Sequence, residues 1–202
     1  ATQYRTVEFE FQANSIILTN SEITAETKSS VCYSNFVVDS DIIFNANILK
    51  LTNSTVKTES DLTCTNSHTG YTRKAYSDIS IESNDFEVRN SSLISQGRND
   101  GVNSQNMYAY VNFVIDVINF TVDNSEIESE RLTSHGEEKL DFSPNYGYFS
   151  NTSFSHTPSS NSPEDSKWHM LNVQIPSSPG VGNNATVYFY NWLNTEVNFE
   201  NG

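Results

Sequence analysis

Apolar and polar positions along this chain repeat one phrase, apolar-x-apolar-x-Asn-(Ser/Thr)-x-apolar, six times. It reads Ile16-x-Leu18-x-Asn20-Ser21-x-Ile23, Leu49-x-Leu51-x-Asn53-Ser54-x-Val56, Phe86-x-Val88-x-Asn90-Ser91-x-Leu93 and Phe120-x-Val122-x-Asn124-Ser125-x-Ile127. A fifth copy carries Gly147 in the first apolar slot and continues Phe149-x-Asn151-Thr152-x-Phe154; the last is Tyr190-x-Trp192-x-Asn194-Thr195-x-Val197. Upstream of the first apolar slot lies a second alternating pair: Phe9/Phe11, Ile42/Phe44, Ile79/Ile81, Phe113/Ile115 and Leu140/Phe142. In the sixth copy Asn183 and Ala185 hold those places.

Alternation at period two puts the apolar side chains on one face of a strand and the intervening polar ones on the other. The unit therefore predicts two short strands, a turn at x-Asn-(Ser/Thr)-x, and a third short strand. Recurrence at a spacing of roughly 20 to 50 residues marks a solenoid whose units bury their apolar faces against neighbours. The expected fold is all-β: a parallel β-helix of about six coils, three short strands per coil, with almost no α-helix. An antiparallel sandwich also accommodates regular strand spacing. It has no reason to hold the upstream pair at a constant offset from the phrase through five successive copies. Rungs about 4.8 Å apart would make a column of roughly 30 Å, with open ends that invite another chain.

The coils are expected over residues 1–157 (coils 1–5) and 184–202 (the last coil), as one domain. Residues 158–183, where Pro158, Pro163, Pro176 and Pro179 cluster, read as an insertion or lateral cap. The chain starts with Ala and is expected to be a mature or excised portion of a longer protein.

Composition suits a solenoid with a large polar surface: 36% hydrophobic and 18% charged residues, with 12 Phe, 10 Tyr and 2 Trp. That aromatic content argues against disorder. A net charge of −14 argues against nucleic acid or an anionic membrane as partner.

Sequons occur at Asn53, Asn90, Asn119, Asn151 and Asn184. Asn119 should point outward from a strand. For the turn asparagines two readings compete: internal residues stacked coil on coil, or surface residues carrying glycan. For Asn53, Asn90 and Asn151 the stacked reading is favoured because Asn20 and Asn124 fill the same slot without being sequons; Asn194 is the turn asparagine of the last copy. Cys32 and Cys64 fall at nearly equivalent places on successive coils, where Cα atoms within roughly 4.4–6.8 Å could be bridged. A Cys32–Cys64 disulfide is expected, contributing about 3 kcal/mol in the chain-entropy model and implying an oxidising compartment.

Catalytic and metal-binding patterns are not evident. His68, His135, His156 and His169 lack zinc-like spacing, and no phosphate loop or nucleophile elbow occurs. Two acidic sets alternate along strands: Asp39/Asp41, and Glu126/Glu128/Glu130 with Arg131 beside them. Solvent-facing strands look like this anyway, so no catalytic residue is assigned.

The repeat resembles the right-handed parallel β-helix proteins of the pectin-lyase-like superfamily. It looks closest to adhesin-like surface proteins with recurring Asn-Ser-x-Ile phrases, as at Asn20-Ser21-Glu22-Ile23 and Asn124-Ser125-Glu126-Ile127. Handedness follows from that resemblance alone. The expected role is a non-enzymatic extracellular or cell-surface module, structural or adhesive. It would carry N-linked glycans and no other cofactor, and its partners would be copies of itself stacked end to end or neighbouring surface proteins. The alternative is a carbohydrate-binding or polysaccharide-cleaving β-helix, favoured if acidic side chains of adjacent coils converge in a groove with Arg or Lys.

Overall fold

A computed structural model describes residues 2–30, 34–64, 70–101, 106–132 and, further on, the strands named below; side chains are described over 2–30, 34–64, 70–99 and 106–131. Each turn of the chain contributes one long and one short strand: β1 (Thr2–Thr19) and β2 (Glu22–Ser29), β3 (Asn35–Thr52) and β4 (Thr55–Cys64), β5 (Arg73–Arg89) and β6 (Ser92–Gly101), β7 (Met107–Asp123) and β8 (Glu126–Leu132). Shorter strands follow: β9 (Gly136–Phe142), β10 (Tyr146–Ser150), β11 (Ser153–Pro158), β12 (Ser166–Leu171), β13 (Val173–Gln174), β14 (Thr186–Phe189) and β15 (Thr195–Glu200). The long strands form one sheet that continues through shorter ones, in the order β1-β3-β5-β7-β9-β12-β15, with β10 beside β7 and β13 on β10. The short ones form a second sheet, β2-β4-β6-β8-β11-β14. Every recorded pairing is parallel, and no described residue is helical. The fold is a parallel β-solenoid.

The two upstream strands of the repeat merge into one long strand with a change of phase. In β3 the buried positions run Phe36, Val38, Ser40, Ile42, Phe44 and Ala46, then skip to Leu49 and Leu51. The skip falls at Asn47, and the pairing register omits Asn14, Asn47, Asn84 and Ile118 at this bend. Asn47 Nδ2 donates to Asn14 Oδ1 (2.6 Å) and Asn84 Nδ2 to Asn47 Oδ1 (3.2 Å). Further along, β9 and β10 pair separately with the two halves of β7, so there the halves are distinct strands.

Six coils were expected; the column comprises about three full turns. Thr2 registers with Asn35, Phe36 with Arg73, and Arg73 with Met107. Beyond β8 the first-sheet strands shorten to seven residues or fewer. There β9 meets Ala109–Ile115 and β10 meets Asn119–Asp123 of β7, so two short strands take the place of one long one. Val197 of the last phrase lies opposite Trp168 in the first sheet, whereas Ile23, Val56, Leu93 and Ile127 all lie in the second. Asn194 itself is outside the described residues.

Between the sheets a main apolar cluster contains Ile42, Phe44, Leu49, Leu51 and Val56 and their equivalents on later turns. Phe86 stacks on Phe120 at 4.9 Å, which is register pairing of one aromatic slot. A smaller cluster holds Phe36, Val38, Leu62, Ala75 and Ala109. Hydroxyls separate the two. Ser40 Oγ lies within bonding distance of Thr27 Oγ1 and Glu59 O; Ser60 Oγ lies against Ser40 Oγ and Tyr76 O. Ser77 donates to Thr58 Oγ1, and Ser95 contacts both Ser77 O and Thr58 Oγ1. Burying a hydroxyl is tolerated when it is bonded, and these serines are fully buried. One turn later Val111 takes the place of Ser77, and Gly97 stands opposite Ser60. A Cβ on Gly97 would meet Val111 Cγ2 at 2.8 Å.

Candidate functional site

The Asn-Ser turn links the sheets. Asn20, Asn53, Asn90 and Asn124 have φ of 50°, 49°, 47° and 47°. Among non-glycine residues asparagine tolerates this left-handed region best. These asparagines are exposed. Asn53 Nδ2 donates to Asn20 Oδ1 at 3.2 Å and Asn124 Nδ2 to Asn90 Oδ1 at 2.6 Å. The residue that enters the interior is the serine after each. Ser54, Ser91 and Ser125 are buried, and each hydroxyl donates to the carbonyl two residues back, at 2.7–2.9 Å. Each also accepts the N–H of the preceding turn's serine: Ser21 N to Ser54 Oγ, Ser54 N to Ser91 Oγ and Ser91 N to Ser125 Oγ, at 3.2, 3.0 and 3.1 Å.

On the outer face of the first sheet, Glu8, Asp41, Asp78 and Asn112 stand in one register row, with Asp39 and the stacked Tyr76–Tyr110 pair in the next. Burial, then the charges of Asp39 and Asp78, push Asp41 up to about 7. Burial raises Asp78 to about 6 against the opposing bond from Asn112 Nδ2 (2.7 Å), and Asp39 is also raised, first by burial. Lys74 lies over the Tyr76 and Tyr110 rings, at 5.9 and 5.7 Å. The other acidic set faces outward from β8. Burial and then Glu130 and Glu126 raise Glu128, while Gln96 Nε2 donates to Glu130 Oε2 at 2.7 Å. Arg131, adjacent in sequence, points the other way: it is fully buried, on the face of Ile127 and Ser129.

Carboxylates and cations of adjacent turns do converge on the surface, in small ion-paired clusters. Lys50 bonds Glu87 at 3.0 Å and Arg89 bonds the same carboxylate. The bond from Lys50 leads the causes that hold Glu87 below the usual carboxylate range. On the second sheet Lys28 and Lys57 bracket Glu59, at 3.0 and 2.7 Å. Burial disfavours the Glu59 anion, but the two lysines outweigh it and its pKa falls. A general acid needs a raised pKa, which neither Glu59 nor Glu87 has. A polar trough follows the bend of the long strand, lined by Asn45, Asn47, Glu82, Asn84 and Asp116. Among the described residues no three metal-ligating side chains converge on one point.

Of the sequons, Asn53, Asn90 and Asn119 are exposed, and Asn119 Nδ2 donates to Asp85 Oδ1 at 2.7 Å. Asn151, Asn184 and Cys32 lie outside the described residues, and with Cys32 the expected disulfide. Cys64 is buried against Met107. Sequence reading missed the bend ladder of Asn14, Asn47 and Asn84, although each precedes a turn asparagine by the same six residues. Comparison of the chain with family models, curated proteins and solved structures found no match.

Proposed function

We propose that this chain is a non-enzymatic, extracellular β-helix module of adhesin-like, pectin-lyase-like kind, with a structural or adhesive role and N-linked glycans. The observation that carries the reading is how the outward polar groups are used. Many of them bond to a group on the adjacent turn or along their own strand, in amide ladders and ion-paired clusters, and so serve the column itself. Asn90 enters its ladder through Oδ1 alone, so its Nδ2 can carry a glycan without breaking that bond. The test is intact mass of the chain secreted from a eukaryotic host, before and after endoglycosidase and reduction. Hexose-bearing mass on Asn53, Asn90 or Asn119 and a two-proton shift on reduction are expected. A bare, reduced product would overturn the reading.

Carbohydrate binding is the second reading, favoured by the trough. Glu82 and Asp116 stand opposite each other on successive turns, flanked by amides that suit sugar hydroxyls. A glycan-array hit that disappears in Glu82→Gln/Asp116→Asn would establish it; binding that survives both changes would place the ligand elsewhere.

A further inference from the structure

One register row on the outer face of the first sheet changes character half-way along the column. It reads Thr6, Asp39, Tyr76, Tyr110 and Glu137 on successive turns, so within this row only β5 and β7 place phenols side by side. Tyr76 and Tyr110 are half-buried and alternate with the buried Ala75, Ser77, Ala109 and Val111, which puts their rings on the outward side. The rings stack with centroids 4.7 Å apart and planes 10° from parallel. That separation is the strand spacing of about 4.8 Å carried out along two identical side chains. Rings stacked in register bring the carbons ortho to their hydroxyls beside each other.

Neighbouring rings are placed differently. Phe86 and Phe120 stack in the same way at 4.9 Å, but they are buried and carry no phenol. Tyr108 sits two residues before Tyr110 on the same strand, and its ring lies farther from that of Tyr110, at 6.3 Å. Lys74 Nζ stands 5.9 and 5.7 Å from the Tyr76 and Tyr110 centroids, where a cation over both ring faces holds them as a pair.

We infer that Tyr76 and Tyr110 are an oxidative cross-linking site, coupled ring to ring by a one-electron oxidant of the peroxidase class working with hydrogen peroxide. Each phenol gives one electron to the oxidant and its hydroxyl proton to water. The two phenoxyl radicals join through a C–C bond between ortho carbons. Each of those carbons then releases its hydrogen as a proton and each oxygen takes one up, which restores both phenols. Hydrogen peroxide accepts the two electrons and two protons and becomes two waters, so the chain loses two hydrogens. Rings joined by one C–C bond keep their centroids at a similar separation. Coupling therefore turns the rings edge to edge on the outer face and leaves the strands in register. The bond closes a loop from β5 through β6 into β7, and closing a loop stabilises a fold by constraining the unfolded chain. This site goes beyond the role proposed above, since it needs the stacked pair and an oxidant but neither glycan nor ligand.

The test treats the full chain, dilute and folded, with peroxidase and hydrogen peroxide, and reads intact mass, dityrosine fluorescence and peptide maps. A single chain lighter by two hydrogens is expected, with the peptides of Tyr76 and Tyr110 joined and the urea midpoint shifted upward. Tyr76→Phe and Tyr110→Phe keep the ring and remove the phenol. Each should retain the wild-type circular dichroism and lose the link within the chain, while Tyr108→Phe should keep it. The same treatment in urea should lose the link between 76 and 110. A folded wild-type chain that stays unlinked, links only to other chains, or links through Tyr4 or Tyr71 instead would overturn the inference. So would a link that survives Tyr76→Phe, or one that forms as well in urea as in the folded chain.

Discussion

Asparagine and the serine after it divide one turn between them. The first supplies a backbone angle and a surface bond, the second an interior donor and acceptor. Substituting Asn53 by Gly should therefore cost little, since Gly adopts φ near 50° freely, while Asn53→Ala should cost about 1 kcal/mol or more in the left-handed region. Ser91→Ala strands the N–H of Ser54 in the interior and should cost about 1–3 kcal/mol. Chemical denaturation of the three variants checks the order. Gly97 and Val111 make a second residue-scale case. Gly97→Ser alone should destabilise by about 1–3 kcal/mol through overpacking. Val111→Ser added to it restores the Ser60/Ser77 arrangement of the preceding turn and should recover much of that loss. A double-mutant cycle with no coupling between 97 and 111 would contradict the account.

At the scale of strands, the carboxylate rows on the first sheet are the pH-sensitive element. Asp39, Asp41 and Asp78 are raised above their unfolded values, so the folded state holds extra protons between about pH 4 and 7. Their stabilising contribution is complete below the unfolded value and is lost as pH rises through 6 and 7. Glu59 and Glu87 work oppositely, since their lowered values give stability that is lost only as pH falls below about 4. The facing groups are Glu8, Asn112, Tyr76 and Lys74. Thermal melts should show a higher Tm at pH 5 than at pH 7.5, and Asp41→Asn should raise the pH 7.5 value and flatten the profile.

These strands also show what could be read from the chain beforehand. Alternation of Ile42/Phe44 and Leu49/Leu51, with a fixed step between, located the parallel strands because a buried strand face must alternate. The interior hydroxyls went unread: Ser40 and Ser60 sit between acidic neighbours and look like surface polarity. Yet each is two residues from a buried apolar position and shares its face. Arg131 went unread for the same reason, as it shares parity with Ile127 rather than with Glu130. Parity along the strand decided these cases: counted in steps of two from the nearest apolar residue, each polar side chain falls on the buried face.

As a whole molecule the column is built of turns that touch only their neighbours, so it has no single centre whose loss dissolves everything at once. Its ladder repeats every 33, 37 and 34 residues. The consequence is mechanical. A chain pulled from its ends should yield one turn at a time, each release paying out roughly 115–130 Å of contour at about 3.5 Å per residue. Force traces should then show a short series of near-equal steps, and a single all-or-none rupture would mean that the turns are coupled more tightly than their ladders imply. A surface tether made this way would absorb a sudden load by lengthening in increments and re-forming when slack, a ratchet built from one repeated turn.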